Sequence, residues 1–390
     1  MDFTLSEEQQ MVREMVREFA DEWLAPRAHE MDMERVVPRE HVAKLSELGL
    51  IAPIVPEEYD GPGMDYMSYA LISEEVGRVD ASTGTTIGAH CSLCCGPILN
   101  YATEEQKKEW LPQLASGDKI GCFGLTEPMA GSDAAGIQTT AVPDGNGNYI
   151  INGAKQWITN GSFADVIVLL ASTNPKRGIM GITAFIVPTD TPGFAVGGVE
   201  DTMGIRGSQQ AVLTFTDMQV PEEWILGGRR GLGRGFTVAM KTLDAGRIGV
   251  AAMVTGMAQG AMEKAIQFVK EREQFGKAIR EFQGLQWYLA EMATSIYAMR
   301  NMVYRVACDK DAGRDVATPA AMIKLFCTDT AQQVIDHALQ LHGGYGYCKE
   351  YDVERYWRDI RITRIYEGTN EIQKNIIARD VLKKDPRVWY

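Results

Sequence analysis

Glu367 is followed at once by Gly368, a pairing that suits a positioned base. A carboxyl enclosed away from water gains a proton more readily and becomes a stronger base. Glycine beside it lets the backbone come close to a substrate. Asn370 and Gln373 have capping-box spacing, which predicts a helix that begins just after Glu367. A solvated loop glutamate fits the same residues equally well, and the residues alone leave both readings open. His90-Cys91 with Cys94-Cys95 resembles half of a metal site, yet no second ligand pair follows downstream. Buried thiols on a helix are expected there, and no metal.

Several chemistries are excluded by spacing. Gly231-Leu232-Gly233-Arg234-Gly235 is not a dinucleotide fingerprint and leads from a loop into a helix. Phe275-Gly276-Lys277 has Glu271 where a phosphate-binding loop needs glycine. There is no HExxH, no GxSxG and no Glu-x-x-His pair. A net charge of −13 argues against a nucleic-acid partner, which would need clustered Lys and Arg. Seven cysteines without framework spacing indicate reduced thiols. No window reaches the roughly 20 apolar residues of a membrane span, and the acidic N-terminus has neither secretory nor transit character. A cytoplasmic protein, or a mature form already trimmed, with no membrane insertion is expected.

The elements that must carry these residues fall into three stretches. Residues 1–120 read as helices, with a capping box at Ser6 and Gln9, a helix over Arg39–Leu48, another over Tyr66–Val79, and a short one before Leu111-Pro112. Residues 121–230 carry short β-rich runs, with hairpin signals at Asp144-Gly145, Asn152-Gly153 and Asn160-Gly161. No helices alternate with them, so an antiparallel sandwich or barrel is expected rather than a parallel sheet. Residues 231–390 return to long helical periods over Gly235–Arg272, Gln283–Lys310, Pro319–Leu341 and from Asn370 onward. These predict a C-terminal four-helix bundle. The fold class is mostly α with a central β domain.

Two long segments are distinctive. One runs from Gly124-Leu125-Thr126-Glu127-Pro128 through Gly131-Ser132-Asp133 to Gly136, and the other from Gln340-Leu341-His342-Gly343-Gly344 through Arg355 to Asp359. Trp157-Ile158-Thr159-Asn160-Gly161, Arg272-Glu273-Gln274-Phe275-Gly276 and Tyr366-Glu367-Gly368-Thr369-Asn370-Glu371 accompany them in order. Together they resemble the acyl-CoA dehydrogenase family over nearly the whole chain, in its short-chain, butyryl-like branch.

The resemblance implies FAD and the oxidation of a Cα–Cβ bond in an acyl-CoA, with Glu367 as the base. Relatives that carry the base elsewhere place it at the position of Gly246, which cannot act. The resemblance puts Phe123, Leu125, Thr126, Ser132, Trp157 and Thr159 around the flavin ring. It puts Arg272, Phe275, Gln283, Gln340, Gly343 and Gly344 at the diphosphate and adenosine, partly from a neighbouring subunit of a homotetramer. Thr369 and Glu371 join the cofactor set. Ser132, Asp244, Arg247, Tyr366 and Gly368 would contact the CoA thioester, with Cys91 and Cys95 on the floor of the acyl pocket. The small residues there suggest a short, branched or cyclic acyl group, and an electron-transfer flavoprotein would take the electrons. A flavin oxidase or desulfinase, an enoyl-CoA reductase and a non-catalytic CoA-binding protein are the other readings of this scaffold.

Overall fold

The computed structural model describes residues 4–384. The chain opens with helices α1 (Glu7–Phe19), α2 (Ala28–Glu34), α3 (Arg39–Glu47), α4 (Tyr66–Gly77), α5 (Ala81–Gly88), α6 (Gly96–Tyr101) and α7 (Glu104–Ala115). The capping box at Ser6 and Gln9 forms. α3 ends where Gly49 turns left-handed at φ 69°. α7 is longer than the sequence suggested and runs through Pro112, held by a second capping box between Thr103 and Gln106 and by burial of Trp110, Leu111 and Leu114. A π-helical stretch, Ala89–Cys95, joins α5 to α6.

The β region contains β1 (Gly121–Gly124), β2 (Thr140–Pro143), β3 (Asn148–Thr159), β4 (Val166–Ser172), β5 (Ile182–Pro188), β6 (Phe194–Val199) and β7 (Gln210–Pro221). They make one curled sheet in the order β1-β4-β2-β3-β7-β6, with β5 also on β4. Pairing is antiparallel except where β1 and the end of β2 run parallel to β4. β4 is buried along its whole length, one face toward the helices and the other into the curl of the sheet. Its unbroken apolar run, Val166 to Leu170, reflects this double burial.

Only one of the three hairpin signals makes a hairpin. Asp144-Gly145 turns β2 into β3. Asn152-Gly153 lies inside β3 as a bulge, where the register against β7 shifts. A side chain at Gly153 would come within 2.7 Å of the Thr139 backbone, so the glycine serves a close approach rather than a turn. Asn160 does turn, at φ 65°, but its buried amide donates to Thr86 O and Gly121 O. That ties the turn to α5 and β1 instead of to a neighbouring strand.

The C-terminal region holds α8 (Gly235–Glu271), a two-strand ribbon of β8 (Glu273–Gln274) and β9 (Lys277–Ala278), α9 (Gln283–Asp311), α10 (Ala317–His342), α11 (Val353–Ile360) and α12 (Asn370–Val381). α11 was not anticipated from the sequence. α8, α9 and α10 share an apolar core into which α4 also inserts Met67, Ala70 and Leu71. The approach of α4 to α8 is unusually close because α8 is glycine-rich on that face. A Cβ at Gly256 or Gly260 would overlap the carbonyls of Glu74 or Arg78.

Candidate active site

Glu367 sits between α11 and α12 in a left-handed conformation, φ 50°, followed by Gly368 at φ 87°. A glutamate with positive φ is strained and persists only where its surroundings impose it. Gln373 Nε2 donates to the carbonyls of Glu367 at 3.2 Å and Gly368 at 2.8 Å. Lys324 Nζ donates to Gly368 O at 2.9 Å and to Asn370 Oδ1 at 3.0 Å, while Arg247 Nε reaches Glu367 O at 3.4 Å. The cap of α12 is Thr369, not the expected Asn370. Asn370 is buried instead and bridges Lys324 to Thr328 and Asp329.

The Glu367 carboxyl lies against Gly246 of α8, where an added Cβ would come within 3.0 Å of its Cδ. Its Oε2 is buried without a hydrogen-bond partner. Burial pushes its pKa up to about 7, against the opposing pull of Arg247 and Lys324. The same burial pushes the Lys324 ammonium down, although Glu367 beside it favours the charge. An unpaired carboxylate poised near neutral pH is suited to accept a proton.

Around it, Tyr366 hydrogen-bonds Thr85 of α5. Arg247 is held by Asp244 at 2.9 Å, and burial raises the Asp244 pKa. Beyond Asp244 opens a polar cavity of about 280 Å³, lined by Tyr66, Ser92, Lys241, Lys310, Arg314 and Asp315 among others. The floor differs from the sequence expectation in detail. Cys95 Sγ turns to His90 Nε2 at 3.6 Å, and the Cys91 thiol meets the Ile54 backbone. His90 itself is spanned between Gly121 N and Leu114 O, its pKa pushed down to about 4 by burial. Both ring nitrogens are thereby committed to the fold. Gly88 and Ser92 lie on the side nearest Tyr69, which stands beside Glu367.

The residues expected at a flavin ring gather at the ends of β1 and β3. Phe123 and Leu125 are buried, Thr126 O accepts from Gln156 N at 2.9 Å, and Thr159 Oγ1 donates to Gln210 Oε1 at 2.8 Å. Trp157 is left-handed at φ 56° with its side chain 55% exposed, and Ser132 is exposed. Asn160 bonding Thr86 O and Tyr366 bonding Thr85 join this group to the Glu367 group through α5. Sequence reasoning missed the pair that fixes the loop between β1 and Ser132. Glu127 and Lys155 form a buried ion pair at 2.7 Å, with Leu125 O accepting from Lys155 and Glu127 accepting from Gln138 N and Thr139 N. A glutamate inside the first motif and a lysine two residues before Trp157 were the available signals.

The remaining predicted residues lie elsewhere. Arg272 and Phe275 follow the C-terminus of α8, Gln283 begins α9, and Gln340, Gly343 and Gly344 end α10. From Gly246 to Arg272 the helical rise amounts to roughly 39 Å, so the Arg272 group lies far along α8 from the Glu367 group. Phe275 is 93% exposed, Arg272 lies over the Tyr345 ring at 5.2 Å, and Gly343 and Gly344 face open space. Thr369 caps α12, and Glu371 is exposed in its first turn.

Three family models match in succession: the acyl-CoA dehydrogenase N-terminal domain over residues 6–118, the middle domain over 122–218 and the C-terminal domain over 233–382. The chain is 46% identical over 383 residues to the short-chain specific acyl-CoA dehydrogenase of Clostridium acetobutylicum, covering 98% of this chain and 100% of the relative. Among solved structures it resembles butyryl-CoA dehydrogenase from Megasphaera elsdenii, with TM-score 0.95, 44% identity and coverage of 98% and 100%. It also resembles a chain from work on the electron transferring flavoprotein of Acidaminococcus fermentans and flavin-based electron bifurcation, with TM-score 0.96, 47% identity and coverage of 98% and 100%. The chain belongs to the acyl-CoA dehydrogenase family. Within that family it falls with the short-chain, butyryl type.

Proposed function

We propose that the protein uses FAD to oxidise the Cα–Cβ bond of a short acyl-CoA, with Glu367 removing the α-proton. The observation that carries this reading is the Glu367 carboxyl itself: buried, unpaired at Oε2, and raised to about 7 by its surroundings. Arg247, Gln373 and Lys324 hold the backbone on either side, so the base is presented without being neutralised by a direct bond. The Glu367 N–H would polarise the thioester carbonyl as negative charge develops there. Asp244 and Arg247, with Ser132, Tyr366 and Gly368, would line the path of the CoA.

The residues present fit FAD. Trp157, in the bulge of β3 between Lys155 and Ile158, is left with an exposed ring, and Gly343-Gly344 is open, with room for a phosphate. Bound FAD supplies the acceptor for the hydride that leaves Cβ. Phe123, Leu125, Thr126, Trp157 and Thr159 would face its ring, with Thr369 and Glu371 nearby. Arg272, Phe275, Gln283, Gln340, Gly343 and Gly344 of a second copy would hold its diphosphate and adenosine, in a homotetramer. An electron-transfer flavoprotein is the proposed acceptor, and the cytoplasm the proposed setting, in keeping with seven free thiols.

A branched or cyclic acyl group is the second reading of the substrate. It is favoured by Gly88, where an added Cβ would meet only the Tyr69 hydroxyl, at 3.9 Å. Anaerobic titration of the yellow holoenzyme with butyryl-CoA and with cyclohexanecarboxyl-CoA tests both. Bleaching of the flavin is expected; a flavin that stays oxidised with every acyl-CoA in a broad panel would overturn the assignment.

A further inference from the structure

We infer that Tyr69 is the end-stop of the acyl pocket and limits the length of chain the enzyme accepts; this rests on Glu367 being the base. Tyr69 is 1% exposed and among the largest fully buried side chains of the molecule. It projects from α4 onto α8, where a Cβ at Gly249 would lie 2.9 Å from its Cζ and closer still to its hydroxyl. Gly246, three residues earlier on the same helix, is where the Glu367 carboxyl rests. Positions i and i+3 share a face and differ by about 4.5 Å of rise. The base and the phenol therefore stand about one helical turn apart over one strip of α8.

The opposite wall belongs to the stretch from α5 into the π-helical segment. A Cβ at Gly88 would lie 3.9 Å from the Tyr69 hydroxyl, and the Ser92 hydroxyl hydrogen-bonds it. Once Glu367 reaches Cα, the carbons beyond Cβ that follow this strip meet the phenol ring within about a turn. Burial keeps the phenol neutral. Ser92 also lines the cavity that Asp244, Lys241, Lys310 and Arg314 line, where methylenes gain nothing among the charges. Depth is set by Tyr69.

The test uses holoenzyme and non-oxidisable 3-thia-acyl-CoA ligands of four to ten carbons, with affinity measured by calorimetry. In wild type, affinity is expected to stop rising beyond the short chains. Tyr69→Leu and Tyr69→Ala should each raise the preference for long over short chains by about four-fold per methylene newly admitted, roughly two orders of magnitude over four carbons. Tyr69→Phe keeps the ring and should leave that preference within about three-fold of wild type. An unchanged chain-length profile in both truncations, at full flavin content, would overturn the inference. So would wild type that binds a ten-carbon chain as tightly as its own optimum gain per methylene predicts. Because binding needs no turnover, failure of butyryl-CoA to reduce the flavin would count against Glu367 and leave the result for Tyr69 readable.

Discussion

Two regions along α8, one at Gly246 and one just past its C-terminus at Arg272, both carry expected functional residues but differ in how they are built. At Gly246 and Arg247 the backbone around Glu367 is held by the chain's own side chains: Lys324, Gln373 and Arg247 bond it, and Asn370 and Asp244 hold Lys324 and Arg247 in turn. At Arg272 the surroundings are sparse, with Phe275 nearly fully exposed and an open glycine pair. Polar networks are costly unless complete, and exposed aromatics mark surfaces that meet something. The first region is finished within one subunit. The second is open and exposed within one chain, as the proposed sharing of a site with another copy requires.

The largest expected effect is at the finished region. Glu367→Gln should leave fold, colour and acyl-CoA binding in place and lower the rate of flavin reduction by about 10⁴-fold or more, since an amide cannot take the proton. Stopped-flow absorbance measures this, and a loss of less than ten-fold would place the base elsewhere. The structure sharpens the rescue. A Cβ at Gly246 would press on the residue-367 side chain, so Gly246→Glu should restore activity with Glu367→Gly and fail with Glu367→Gln.

The next effect breaks the comparison at the other region. Arg272→Ala should weaken FAD retention by about 10–100-fold, the range for losing a charged hydrogen bond, with near-normal rates at saturating FAD. Light scattering on the wild type adds a second check: a monomer with full flavin would mean that the exposed region is not half a site.

Lys324→Met probes how the finished region holds its base. Removing the cation lifts the Glu367 pKa above about 7, so the acidic limb of the pH–rate profile should move upward. Flavin reduction at pH 7 should fall by about ten-fold as Gly368 O and Asn370 lose their donor. A lower rate with an unmoved limb would make Lys324 a packing residue only.

The smallest effect concerns stability. The Glu367 carboxyl has a folded pKa of about 7 against an ordinary value of 4.5, so the native state holds the proton more tightly. Stability therefore falls as pH rises through that window. Glu367→Gln removes the titration. Its melting temperature should match wild type near pH 4 and exceed it by about a few degrees at pH 8, measured by scanning calorimetry.

The sequence was most legible where periodicity was long. α8 begins at the expected Gly235 and ends one residue before the expected Arg272, because its apolar pattern persists through ten turns. It was least legible where a local signal served a distant contact. Asn152-Gly153 has turn chemistry but exists for the approach of Thr139, and Asn160 turns in order to reach Thr86 and Gly121. The cap of α12 was misplaced by one residue because Asn370 is occupied by Lys324 and Asp329. Within the candidate site, motif residues such as Glu367 were visible as a resemblance. Lys324 and Tyr69 were not, since each gains its place through packing between helices remote in sequence.

The contact between Gly246 and Glu367 also bears on how such an active site could change over time. Two seats for one carboxylate face each other across a space that holds only one. With Glu367 as the proposed base, a lineage that abandons residue 367 first has no base, and one that fills residue 246 first crowds the base it already has. Each single step is a fitness loss and the double step restores function, which is reciprocal sign epistasis written into one van der Waals contact. Relocating the base along this scaffold would then require passing through a weakened ancestor or changing both positions together, and drift alone would leave either arrangement in place for long periods.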